Sequence, residues 1–130
     1  MGITIMGISR DKADATFSQY IRLRDGKCVR CHSPVRLNAK GLPISHHCSH
    51  YHGRRKESVR FDPENCDCLC HGCHVHWGST DREGYRAFKI KQLGRKRFDA
   101  LQIRANTYKK KDRNMSYIKA KALLDTVWRK

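Results

Sequence analysis

Two cysteine pairs, Cys28-Val-Arg-Cys31 and Cys70-His-Gly-Cys73, carry the clearest chemistry in the chain. In each, a two-residue gap lets a tight turn aim both thiolates at one ion, and two such knuckles complete a tetrahedral four-thiolate zinc site. Such a site forms only in the folded state, so it stabilises outright a domain too small to hold itself together by burial. A redox dithiol would want a βαβ context, which the pattern lacks. Between the pairs lies HHCSHYHGRR, residues 46–55, where four histidines and a cysteine precede an abrupt basic turn. All seven cysteines and all eight histidines fall between Cys28 and His76. A disulfide scaffold would spread its cysteines and pair them evenly, whereas clustered Cys and His in a reducing compartment mean metal. Cys48, Cys66 and Cys68 are left over; they are expected to be small buried fillers, with an alternative ligand set drawn from them left open.

The formal net charge is +16 with a pI near 10.0. A field of that sign attracts a polyanion, and with no apolar run long enough to cross a bilayer the expected partner is nucleic acid rather than a membrane. The start, MGITIMGISRDKADATF, lacks the basic region and long apolar core of a signal peptide, and Met6 stands where a myristoylation motif needs Ser or Thr. An intracellular protein is expected. Arg54, Arg55, Lys56 and Arg60 are the expected clamp on a nucleic-acid backbone, extended by runs at Lys89–Lys91, Arg95–Arg97 and Lys109–Lys111. Trp77 or Tyr51 could stack on a base, although core packing is the commoner fate of such residues.

The elements that must position these groups read as one domain of 130 residues in three parts. Residues 1–27 hold a helix over 11–25, with Ala13, Phe17, Tyr20 and Ile21 at helical spacing, Ser9 or Asp11 as cap and Gly26 as stop. Its other face, with Arg22 and Arg24, reads as solvated. Residues 28–78 form a turn-rich metal core with short strands around Leu42–Ser45, Cys48–His52 and Asn65–Leu69. Residues 79–130 return to helix. Thr80 with Glu83 makes a capping box before Tyr85, Phe88 and Leu93, and Gly94 ends that helix. Phe98, Leu101, Ala105 and Tyr108 mark another, and Tyr117, Leu124 and Trp128 a last. KKKDR at 109–113 reads as a solvated linker within reach of phosphates. The fold class is α+β: a small zinc-stabilised core with flanking helices.

A His-rich segment with His50, then Asn65 in FDPENCDCLC, then His74 directly after Cys70-x-x-Cys73 resembles the HNH endonuclease superfamily, whose catalytic unit is a ββα-metal finger. The stretches DATFSQYIRLRDGKCVRC, CSHY, RFDPEN and LCHGCH are similar to the phage NinG, or Rap, recombination nucleases over roughly residues 10–105. The resemblance implies a metal-dependent endonuclease that hydrolyses DNA, double-stranded or branched, in recombination or DNA processing, leaving 5′-phosphate and 3′-hydroxyl ends. It would work in the host cytoplasm, and paired cuts across a symmetric substrate would suit a homodimer. It makes His50 the general base, Asn65 the brace that orients it, and His74 a ligand to a catalytic Mg2+ or Mn2+. The superfamily usually places a ligand immediately before the base, where this chain has Ser49. The phage-type pattern places it three positions before, which makes His47 the second ligand, with His46 and a one-ligand site as alternatives. Positions 47 and 50 face opposite ways in a regular strand, so His47 would require a bulge or turn. His52 stands as a reserve base, His71 as exposed, and His76 as nearly opposite His74 on a helix. The rival expectation is a zinc-stabilised nucleic-acid-binding module without cleavage activity.

Overall fold

The computed structural model describes residues 11–128. The Ser9 capping alternative and the N-terminal run lie outside them. Helix α1, Lys12–Asp25, opens on Asp11, whose carboxylate accepts from the Ala13 amide at 2.8 Å. It closes on Gly26 at φ 69°, a left-handed stop that glycine adopts without steric cost. Its apolar face buries Phe17, Tyr20 and Ile21 against Cys66, Cys68, Ala120 and Leu124.

Two strands follow, β1 at His47–His50 and β2 at Cys66–Leu69, paired antiparallel with His47 opposite Leu69, Cys48 opposite Cys68, Ser49 opposite Asp67 and His50 opposite Cys66. The expected strand at Leu42–Ser45 is absent; Pro43 makes only a single bridge to Leu37. Proline has no amide to extend a ladder. The first knuckle hangs on β2 through the Val29 amide, which donates to the Cys68 carbonyl at 2.9 Å. Helix α2, His71–Val75, starts at the second knuckle and continues into a π-helical turn, His76–Thr80.

That turn displaces the expected cap. Asp81, not Thr80, caps helix α3 (Arg82–Leu93), accepting from the Gly84 amide at 2.9 Å. Gly94 at φ 82° separates it from α4, Arg95–Ala105. Tyr108 falls beyond α4 and is exposed, so it is no part of that helix's buried face. Helix α5, Arg113–Val127, is capped by Asp112 and returns across α1. No helix among the described residues is long and apolar enough to cross a membrane.

Two further features depart from the sequence reading. The polar face of α1 is not solvated: Arg24 donates to the Pro63 and Cys66 carbonyls at 2.8 Å each, and Arg22 reaches the carbonyls of Pro43 and Ser45. These guanidiniums satisfy carbonyls that short strands and turns leave without ladder partners. Lys89, expected on a basic surface, is fully buried, with its ammonium on the Asp67 carboxylate at 3.0 Å, the Glu64 carbonyl and Gln92. Tyr85 and Gln92 donate to the same carboxylate, so the buried charge is paired and hydrogen-bonded from both sides.

Candidate metal centre and histidine cleft

The sulfurs of Cys28, Cys31, Cys70 and Cys73 gather within 4.8 Å of one another. Zinc–sulfur bonds of about 2.3 Å at tetrahedral angles separate neighbouring sulfurs by about 3.8 Å. Cys31 and Cys70 stand 3.7 Å apart. Donors already point at the sulfurs: Arg30 reaches Cys73 at 3.3 Å and Ser33 lies 3.2 Å from Cys31. The Ser33 hydroxyl and amide pull the Cys31 thiol down to about 6, while burial, with the other sulfurs, pushes Cys73 up to about 12. A dication at the centre removes that second penalty, since a coordinating thiol is deprotonated outright. The residues fit zinc.

The knuckle also places His74. Cys70 is the N-cap of α2 and Cys73 lies on its first turn, so anchoring both sulfurs fixes the helix that carries the next residue. The His74 ring sits 5.2 Å from that of His47. Two imidazoles bound to one ion at about 2.1 Å would hold their ring centres roughly 5 Å apart. Burial, then the neighbouring His47, His71 and Arg54, hold His74 below the ordinary histidine range, which keeps it neutral with a lone pair to offer.

His47, His50, His74 and Arg54 line one cleft of about 500 Å³, together with Ser18, Arg22, His46, Cys48 and Gly53. The pairing of β1 with β2 runs in register through all four of its positions. His47 and His50 both line the cleft although the strand between them carries no bulge. His46, just before the strand, takes the left-handed backbone at φ 69° and turns its Nε2 to the Ser33 carbonyl and hydroxyl at 3.0 and 3.1 Å. That engages Nε2 with Ser33 and leaves Nδ1 as the nitrogen His46 could offer an ion.

His50 is largely buried, and its Nε2 lies 2.9 Å from the Arg60 carbonyl. A carbonyl only accepts, so Nε2 carries the proton and Nδ1 the lone pair. Burial lowers the pKa of this imidazole to about 4, so the ring is neutral at pH 7. Asn65, fully buried on the turn just before β2, donates to the carbonyls of His52 and Val59 at 2.9 and 3.1 Å and accepts from the His52 amide at 2.9 Å. It braces the loop that brings the Arg60 carbonyl to His50, with no direct bond to the ring in this arrangement. His52 does not line the cleft, and His71 is exposed with its ring 5.6 Å from His47. His76 faces Asp81 at 3.7 Å.

Of the expected backbone clamp, Arg54, Arg55 and Lys56 are exposed, Lys56 also reaching Asn106 at 3.1 Å. Arg60 differs: its guanidinium is paired with the buried Asp14 carboxylate, its Nε donating at 2.9 Å. That charge is already neutralised inside the protein. Arg54 also borders a second groove of about 530 Å³ lined by Arg55, Tyr108, Lys109 and Lys111 with the paired Glu57 and Arg60, so net positive charge runs from the cleft to the α4–α5 connection. Sequence reasoning passed over Tyr108 by placing it on a helix. Trp77 and Tyr51 are core residues packed with Tyr85. No carboxylate lines the cleft among the described residues.

A four-cysteine knuckle pair docked on a two-stranded sheet, with a histidine cleft beside it and helices around both, defines a mostly helical α+β protein with a site able to hold zinc. Over residues 8–127 the chain matches the family of the bacteriophage lambda NinG protein, and it belongs to that family. No curated protein and no solved structure matches it.

Proposed function

We propose that the chain is a metal-dependent endonuclease of the HNH type, with β1, β2 and α2 as its ββα-metal unit, acting on DNA in phage recombination or DNA processing. The observation that carries this reading is the convergence of His47, His50, His74 and Arg54 on one cleft that contains no carboxylate among its described lining residues. Carboxylates there would repel a phosphodiester; imidazoles and a guanidinium accept it.

His50 takes a proton from the attacking water through Nδ1, while the Arg60 carbonyl fixes its tautomer from the other side. Its low proton affinity keeps the lone pair available, and a bound phosphate's negative charge would raise that affinity toward the value a general base needs. His47 and His74 would hold a divalent cation, which when bound supplies neutralisation of charge on the phosphate. Two imidazoles with no carboxylate favour Mn2+ over Mg2+, because nitrogen donors suit transition ions and Mg2+ prefers oxygen. Arg54 and Arg55 hold the flanking backbone, and Asn65 keeps their loop in place. Paired cuts would require two copies of the chain.

The second reading is a zinc-stabilised DNA-binding module without cleavage, favoured by the same +16 charge. Wild type and His50→Ala, compared on supercoiled, linear, single-stranded and branched DNA with EDTA, Mg2+ or Mn2+, separate the two. The expected outcome is metal-stimulated nicking by wild type that His50→Ala abolishes, with zinc content retained in that variant and lost in Cys70→Ser. Equal cleavage by wild type and His50→Ala removes His50 as base, and salt-dependent binding without nicking on any substrate selects the module.

A further inference from the structure

We propose that Cys48, His50 and Cys66 form a second, weaker site for a thiophilic metal ion such as Zn2+, and that filling it silences the cleft. One ligand atom from each of the three lies within 4.8 Å of the others. The strand register explains why. His50 stands opposite Cys66, and Cys48 is two positions from His50, so all three side chains leave one face of the hairpin. Cys48 and His50 line the cleft, which gives an ion a way in, while Cys66 is fully buried beneath them. Two thiolates and an imidazole are a soft donor set with a fourth position left for water, the composition that selects zinc and rejects Mg2+ or Mn2+.

The consequence for function rests on the endonuclease reading. Because Nε2 of His50 is held by the Arg60 carbonyl, only Nδ1 has a lone pair. That lone pair can bind an ion or accept the water's proton, and not both. Hard and soft cations would thus act oppositely in the same cleft: Mn2+ on His47 and His74 supports the reaction, and Zn2+ on Cys48, His50 and Cys66 stops it. The site should fill after the four-cysteine knuckles, since it offers three protein ligands against their four.

The test uses the full chain with its knuckle site already loaded with zinc, kept reduced by a phosphine, and titrated with Co2+. Wild type is expected to develop thiolate-to-cobalt charge-transfer absorption and, in zinc dialysis, to bind one ion more per chain than Cys48→Ala. Binding at His47 and His74 gives no sulfur charge transfer, so an unchanged spectrum in wild type overturns the proposal, as does the same uptake by both proteins. Cys66→Ser serves as the second variant, and it too should lose the charge-transfer band. In Mn2+-supported nicking, excess Zn2+ should inhibit wild type and spare Cys48→Ala; equal inhibition of the two overturns the silencing. If no DNA substrate is nicked, the endonuclease reading fails, while the spectrum and the ion count still decide whether the site exists.

Discussion

Replacing Asn65 by aspartate changes one nitrogen to oxygen and leaves the shape alone, which makes it a sharp test of what this buried residue does. Its amide nitrogen donates to the His52 and Val59 carbonyls, and its oxygen accepts from the His52 amide. In the aspartate the accepted bond survives. The two donated bonds become oxygen facing oxygen, and a negative charge appears at a position with no exposure to water. Each orphaned buried carbonyl costs about 1–3 kcal/mol, so the two together imply a loss of about 4 kcal/mol before the cost of the charge. Against a domain stability of about 5–15 kcal/mol that is a large fraction. Asn65→Ala loses three bonds and leaves a small void, so it should be destabilised to a similar degree, and the isosteric variant should be no milder than the truncated one. Urea unfolding at pH 7 with zinc present, followed by the fluorescence of buried Trp77, measures both. An Asn65→Asp variant within about 1 kcal/mol of wild type would show that the loop 51–60 is not held by this side chain.

Lys89→Met strips the cation from Asp67 and should cost roughly 3–5 kcal/mol in the same urea assay, with partial recovery when Asp67→Asn is added; a neutral single variant would refute the buried pair. The Asp14–Arg60 pair sets an acid limb on stability. Burial pushes Asp14 up, but the Arg60 hydrogen bond and charge outweigh it and hold the carboxyl below its ordinary 3.8. The unfolded chain then binds the proton more readily, so the pair's contribution is complete above about 4 and is lost as pH falls through the lower folded value. The stability gap between wild type and Asp14→Asn should therefore narrow steadily below about pH 4, and a gap that does not change with pH would contradict the assignment.

What could be read from the chain alone was what short-range rules govern. Asp11 and Gly26 bound α1 because capping and left-handed stops are decided within four residues, and the knuckles announced themselves because two thiolates on one turn need a fixed spacing. The errors fall where a side chain's partner is distant in sequence. Arg60 looked like one more cation in the run after Gly53, yet its partner Asp14 lies 46 positions away. Lys89 reads as part of a basic surface because nothing local reveals that Asp67 and Glu64 meet it in the interior. The cleft shows the same division from the other side. Alternation along β1 predicts His47 and His50 on different faces, yet both line one cleft, and where α1 and α2 stand around a strand of four residues is not written in that pattern. His47 is the first residue of that strand, and its ring lies 5.2 Å from that of His74 on α2. The four-cysteine cluster sets that helix's start, and through it the distance between His47 and His74. Removing a metal held by those four cysteines should thus remove the cleft's geometry along with the fold, leaving no intermediate in which the histidines remain assembled.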